Sequence, residues 1–260
     1  MEKGIGRDAT LPEIRTASNS LIGKTLGDIG SKLNGVDSTK IKGKPGEILE
    51  RYFGMDNDAK EDPDFRRIGI ELKCKPLKVS YGKYFYPKEP LSIGMINYEE
   101  VTDTEDWKKI EKLQKKFLNL MIFWFVHDKE NLDQSEFIWW QIWSPSRELD
   151  EKIQKEYEEI RRQILEGEHL SQTRAGNDIL QTCPKHNYDF NAREKGSYVV
   201  NSGHPKLDKP ERRSWRIPAR FLVKILAESA DLELVDKGRA SYVRIEDLRR
   251  KSEEKSDFLE

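Results

Sequence analysis

Apolar residues recur along this chain with two different periods, and the places where the period changes mark out its elements. Residues 11 to 34 predict two short helices joined near Gly23, with Thr25 as the N-cap of "LGDIGSKL". In "KGKPGEILERYFG", Pro45 opens a helix and Gly54 closes it. Ile48, Leu49, Tyr52 and Phe53 form its apolar stripe and leave Glu50 on the flank. A strand follows from Ile68 to Lys75, with Ile68, Ile70, Leu72 and Cys74 on one face and Gly69, Glu71, Lys73 and Lys75 on the other.

Residues 76 to 90, rich in Tyr, Lys and Pro, read as a loop leading to a second apolar run, Leu91 to Asn97, expected in the same sheet. A basic helix is predicted over Glu105 to Lys116, and core strands over Leu118 to His127 and Glu136 to Trp143. A long amphipathic helix runs from about Leu149 to Leu165, striped by Ile153, Tyr157, Ile160 and Ile164 and stopped at Gly167. From His169 the pattern loosens, with turns at Gly176, Gly196 and Gly203, until "RRSWRIPARFLVKIL" resumes a strand and then a helix. Residues 244 to 260 are almost wholly charged and read as a surface helix or a frayed tail. The expected fold class is α/β (α+β), a mixed central β-sheet flanked by helices.

Composition narrows this picture only modestly. With 260 residues the chain can bury one large core, as one domain or one domain with a lobe. The charged fraction is 36%, but the net charge is −1, so local clustering must reveal any nucleic-acid surface. Cys74 and Cys183 lack CxxC spacing, which suits a reducing compartment, and Cys183 with His186 would supply at most half a metal site. The N-terminus lacks the apolar core of a signal peptide, and the greasiest run, Phe117 to Val126, is too short to span a bilayer. A cytoplasmic protein without a membrane partner is expected.

Chemistry concentrates in "PDFRRIGIELK", residues 63 to 73. Alternation makes Glu71 and Lys73 neighbours on one face, and a tight turn ahead of Gly69 could return the Asp64 carboxylate toward Glu71. Two readings compete. One is a half-buried strand with a solvated charged face. The other is a pair of carboxylates whose mutual repulsion is relieved by a hard, oxygen-ligated cation such as Mg²⁺. Lys73 could then orient a water and steady charge on a phosphate. This is the pattern of PD-(D/E)xK nucleases, weak on its own.

Longer stretches carry a more specific likeness. "KGKPGEILERYFG...DPDFRRIGIELKCKPL", "LSIGMINYEEV" and "LQTCPKH" resemble the family that joins MutH-type nicking enzymes with the Sau-type restriction endonucleases cutting at GATC. The likeness runs with gaps from about Leu21 to Leu226, and "INYEEV", "CPK" and "ILEGEHLS" are closer to the restriction branch. It implies a restriction-endonuclease-like catalytic domain over residues 1–240, with a catalytic lobe to about 145, a DNA-reading lobe over 146–240, and a charged tail or linker over 241–260. It also implies a Mg²⁺-dependent type II enzyme acting on double-stranded DNA, with a cognate DNA methyltransferase in the cell and a possible homodimer on DNA. A nicking enzyme and a non-catalytic DNA-binding module are the alternatives.

Residue by residue, the resemblance matches Glu50 to the family's helix glutamate, counted with the metal site as positioning a metal-bound water or a second ion, Asp64 and Glu71 to its metal-binding carboxylates, and Lys73 to its catalytic lysine. Lys115 and Lys116 both compete for a further active-site lysine. Lys185 matches a lysine reaching into the major groove, where lysine donors suit guanine O6 and N7. Arg216 stands where MutH has a tyrosine tied to methylation sensing, and Cys183 stands where MutH has an arginine. Independently, Lys108, Lys109, Lys112, Lys115 and Lys116 on one predicted helix, and Arg212, Arg213, Arg216 and Arg220 near the last strand, offer phosphate contacts or solvated faces. The tryptophans of "FIWWQIW" suggest core packing over a stacking surface for single strands.

Overall fold

The computed structural model describes residues 4–33, 44–55, 61–168, 170, 178–185, 203–208 and 210–257. The expected turns at Gly176 and Gly196, and His186, lie outside the described residues. The chain divides into two units: residues 1–89, 119–143 and 222–260 form the first, and residues 90–118 and 144–221 the second. This interleaving replaces the expected sequential division near residue 145, because the chain leaves the first unit between two strands of one sheet and later returns to it.

The first unit opens with α1 (Leu11–Asn19) and α2 (Leu26–Gly30). Thr25 caps α2 as expected, its hydroxyl accepting from the Asp28 amide at 3.1 Å. Next comes α3 (Lys44–Tyr52), which buries Ile48, Leu49 and the following Phe53 while Tyr52 is half-buried. Then follow β1 (Glu71–Ser80) and β2 (Tyr84–Pro87). In the second unit lie β3 (Leu91–Met95), α4 (Tyr98–Asp103) and α5 (Glu111–Lys116). The first unit resumes with β4 (Leu120–Val126) and β5 (Glu136–Trp143), the second with α6 (Arg147–Glu166), β6 (Gln181–Pro184) and β7 (Arg213–Ile217). The chain ends through α7 (Ala219–Ala230), β8 (Val235–Lys237), β9 (Ala240–Arg244) and α8 (Ile245–Asp257).

The first unit is built on a six-stranded mixed sheet in the order β5-β4-β1-β2-β9-β8. β1 runs parallel to β4 and every other pairing is antiparallel. β4 is buried nearly end to end, as a central strand covered on both faces requires. The tryptophans of β5 are core residues, as the alternation predicts. Gln141 ties the layers together, accepting from Trp124 Nε1 at 2.8 Å and donating to the Ile225 carbonyl of α7 at 3.1 Å. Of the two readings of residues 244 to 260, the helix is found over Ile245–Asp257: α8 buries Leu248 and lays Lys255 over the rings of Trp139 and Trp140, and just before it β9 pairs with β2.

A three-stranded antiparallel sheet, β3-β7-β6, organises the second unit. Thus Leu91 to Asn97 does not join the large sheet; β3 pairs with β7 instead. α6 buries the predicted stripe of Ile153, Tyr157, Ile160 and Ile164 and stops at Gly167, whose φ of 74° is left-handed. The expected basic helix breaks at Ile110 into a single 3-10 turn over Trp107–Lys109 and α5, since Trp107 is buried and its indole donates to Asp150 at 2.9 Å. Its lysines therefore do not share one helical face. Among the described residues no helix is long and apolar enough to cross a membrane.

Candidate active site

The acids of the first unit are brought together by three local devices. Glu50 rides the last turn of α3, half-buried, because the apolar face of that helix turns Ile48, Leu49 and Phe53 into the core. Gly54, with φ of 77°, ends the helix. Asp64 sits before a one-turn 3-10 segment, Arg66–Ile68, that Gly69 reverses with φ of 64°. Phe65 and Ile70 clamp the base of this loop, the Phe65 amide donating to the Ile70 carbonyl at 2.9 Å and the Ile70 amide returning the bond at 3.2 Å. The buried Phe65 ring rests edge-on against Phe53.

The third device is an interrupted ladder. From Glu71 to Lys75, β1 is paired to β4 alone, since the hairpin with β2 begins where the Pro76 carbonyl accepts from the Lys88 amide at 2.9 Å. Successive amides of a strand face opposite edges. The Glu71 amide donates toward β4, to the Asn119 carbonyl at 3.0 Å, and the Leu72 amide turns to the open edge, where it donates to Asp64 Oδ2 at 2.8 Å. The turn thus fixes Asp64 beside the strand that carries Glu71 and Lys73.

Glu71 is only 2% exposed, and the Lys73 ammonium donates to its Oε1. The reading of this strand as a solvated charged face is therefore corrected: Glu71 is buried, and so is Lys75, which is 4% exposed and paired with Glu89 at 3.3 Å. Burial is what holds the Lys75 ammonium below its ordinary pKa, with Glu89 opposing. Glu50 is pushed above the usual carboxylate range, first by burial and then by the negative charge of Asp64, while Lys73 pulls it back. Glu71 and Arg7 also act on Glu50, in opposite directions. So Glu50, Asp64, Glu71 and Lys73 share one electrostatic neighbourhood. Arg7 was not legible as part of it, because a single arginine far up the sequence carries no pattern.

Among the described residues, no three His, Cys, Asp or Glu side chains form a set that would ligate a metal ion unaided. The donors present are all carboxylate oxygens, and Mg²⁺ keeps several waters while taking one or two carboxylates, so Asp64 and Glu71 fit that ion as a pair.

The other predicted residues lie in the second unit. Lys115 and Lys116 occupy the last turn of α5, and Lys115 is paired with Glu111 at 2.8 Å. Lys112 lies along Gly94, on which a Cβ would stand 3.4 Å from its stem. Lys185 is exposed just after β6, its amide donating to the Arg212 carbonyl at 2.8 Å. Arg216 is half-buried and donates to Gln181 Oε1 at 3.1 Å. Arg213 is 7% exposed, bound to Glu211 at 2.7 Å and Thr182 at 3.1 Å, so its guanidinium serves the interior of the unit. Arg220 is paired with Asp178 at 2.8 Å.

Known proteins give this arrangement a setting. The family model described as DNA mismatch repair enzyme MutH matches residues 53–156, a span that includes Asp64, Glu71, Lys73, Lys112, Lys115 and Lys116. The DNA mismatch repair protein MutH of Yersinia enterocolitica is 28% identical over 218 residues, covering 81% of this chain and 89% of that protein. The MutH of Haemophilus ducreyi is 30% identical over 183 residues, covering 66% of this chain and 76% of its own. A restriction endonuclease, MvaI in complex with its cognate DNA, overlaps 83% of this chain and 97% of its own at 10% identity and a TM-score of 0.38, too loose a likeness to carry an argument. With the acids and lysine of the first unit in place and a relative at 30% identity spanned over three quarters of its length, the chain belongs to the MutH family of DNA mismatch repair enzymes.

Proposed function

We propose that this protein is a Mg²⁺-dependent, sequence-specific endonuclease of double-stranded DNA, of restriction type and reading GATC. The observation that carries the proposal is the convergence on Asp64, Glu71 and Lys73 of a clamped turn, an open strand edge and a half-buried ion pair, with Glu50 in the same electrostatic field.

Asp64 and Glu71 would hold the cation. Bound there, Mg²⁺ supplies charge neutralisation on the phosphate and a more acidic water. Lys73, placed by its ion pair with Glu71, orients the attacking water and steadies the negative charge growing on the phosphate. Glu50, whose raised pKa leaves it a readier proton acceptor than an exposed glutamate, positions that water. In the second unit, the family likeness supports Lys115 or Lys116 as a further lysine of the reaction and Lys112, Lys185 and Arg216 as DNA contacts, with Lys185 reading a guanine edge.

The names of the relatives favour a second reading, a nicking enzyme of mismatch repair that cuts one strand when recruited by a partner. Plasmid carrying GATC sites, unmethylated or adenine-methylated, separates the two. With Mg²⁺ alone, the restriction reading expects linear fragments from unmethylated plasmid; accumulation of nicked circles without linear product would favour the second, and untouched plasmid would favour a DNA-binding module that does not cut. On the restriction reading, a cognate methyltransferase protects the host, and two copies on one palindrome, or two successive cuts by one, complete the break.

A further inference from the structure

The face of the large sheet at its hairpin end carries four tyrosines, of which Tyr84 is buried at 4% exposure while Tyr81, Tyr86 and Tyr242 reach solvent, together with cations that the proposed cleavage does not use. Cross-strand partners share a face. Lys78 is paired with Tyr86, Ser80 with Tyr84, and Tyr84 with Arg244, so these stand together, and Tyr242 joins them as the alternate neighbour of Arg244. The opposite face, with Leu77, Phe85 and Val243, is core. The rings form one cluster: Tyr242 lies 5.7 Å from Tyr81, 5.9 Å from Tyr84 and 5.2 Å from Tyr86, centroid to centroid. Lys78 lies over Tyr86 at 5.6 Å and Lys237 over Tyr84 at 5.8 Å.

Tyr81 sits in the loop between β1 and β2 with φ of 51°, a left-handed backbone that disfavours any residue with a Cβ, yet it is the ring most given to solvent, at 70% exposure. Glycine or asparagine is the ordinary occupant of such a position. The Tyr81 ring stands edge-on to Tyr84 and Tyr242 and leaves its remaining surface to solvent at the rim of the cluster. Charge indicates what it meets: Lys78 and Lys237, both exposed, lie over the rings, and Arg244 on the same face is paired with Asp247 at 4.0 Å.

We infer that this face is a binding site for an unpaired nucleic-acid strand, separate from the cleavage site. A strand with free bases offers flat rings for the tyrosines and phosphates for the lysines, whereas a duplex hides its base faces. The inference is independent of the catalytic reading.

Fluorescence anisotropy of a short labelled oligothymidylate, titrated in EDTA over a series of salt concentrations, tests it. Tyr81→Gly relieves the backbone strain, so its melting temperature should match or exceed the parent's, and its duplex processing in Mg²⁺ should be unchanged. Its affinity for the oligonucleotide should fall by roughly tenfold or more. The pair Lys78→Gln and Lys237→Gln should flatten the dependence of affinity on salt. Equal affinity of parent and Tyr81→Gly would overturn the inference. So would displacement of the oligonucleotide by polyglutamate as readily as by unlabelled DNA, which would assign the face to an acidic protein.

Discussion

At the scale of single residues, Asp64 and Glu50 do different work and should respond differently to substitution. Asp64→Asn keeps an acceptor for the Leu72 amide and removes one charge, so the turn should persist while cleavage falls by more than roughly 100-fold, the loss expected when a metal's surroundings are disturbed. Thermal unfolding alongside cleavage checks this. Glu50 is held protonated to higher pH in the folded chain than in the unfolded one, because burial and Asp64 both oppose its charge. The folded state therefore binds more protons between those two pKa values, and its stability falls as pH rises through that window. Glu50→Gln should thus melt higher than the parent in EDTA at pH 7 to 8, the advantage vanishing below about pH 4, where an unperturbed glutamate is itself protonated. The gain in stability should come with lost cleavage, as expected where a functional site stores repulsion.

At the scale of elements, the loop from Asp64 to Gly69 is the hinge of the site. A Cβ on Gly69 would meet nothing within 4 Å, so the cost of Gly69→Ala is conformational alone, about 1–2 kcal/mol for a left-handed residue. Gly69→Asn should cost less, since asparagine tolerates that region, and denaturant unfolding of the two variants checks the order. Much at this scale was legible in the sequence. Pro45 and Gly54 bounded α3, Thr25 capped α2, and the stripe of α6 ended at Gly167, because caps and helical periodicity are local signals. The turn ahead of Gly69 was legible for the same reason, but the strand expected from Ile68 begins only at Glu71, because Arg66–Ile68 form a 3-10 turn that the left-handed Gly69 ends. The β1–β2 hairpin was not: its loop places Tyr81 in a left-handed conformation that tyrosine does not advertise, so residues 76 to 90 read as one long loop. The basic helix failed because Trp107, buried and bonded to Asp150, overrode a charge pattern that suited a helix.

At the scale of the whole molecule, the order of elements along the chain gives little hint of which sheet each joins. Leu91 to Met95 has the apolar alternation of a strand in either sheet, and only its pairing with β7 decides. The last residues illustrate the same point. Their charge suggested a surface helix or a tail; the helix forms, but β9 extends the large sheet and Leu248 is fully buried. Leu248→Ala should therefore destabilise the protein by about 2–5 kcal/mol, the range for emptying a well-packed leucine site, whereas substitutions in a true tail would be silent. Guanidinium unfolding measures the difference. Asp64, Glu71 and Lys73 stand out in the sequence because they fall close together around a turn and a strand, and Glu50 was matched only through the family resemblance, while Arg7 and the tyrosine face are assembled from distant segments.

In the proposed function, Asp64, Glu71 and Lys73 act together on a phosphate in duplex DNA. Single-turnover cleavage of a GATC duplex, started by adding Mg²⁺ to preformed complex, compares the parent with Asp64→Asn while duplex binding is followed separately in EDTA. The prediction is that both proteins bind and only the parent cuts. Cutting by Asp64→Asn at near the parental rate would contradict it.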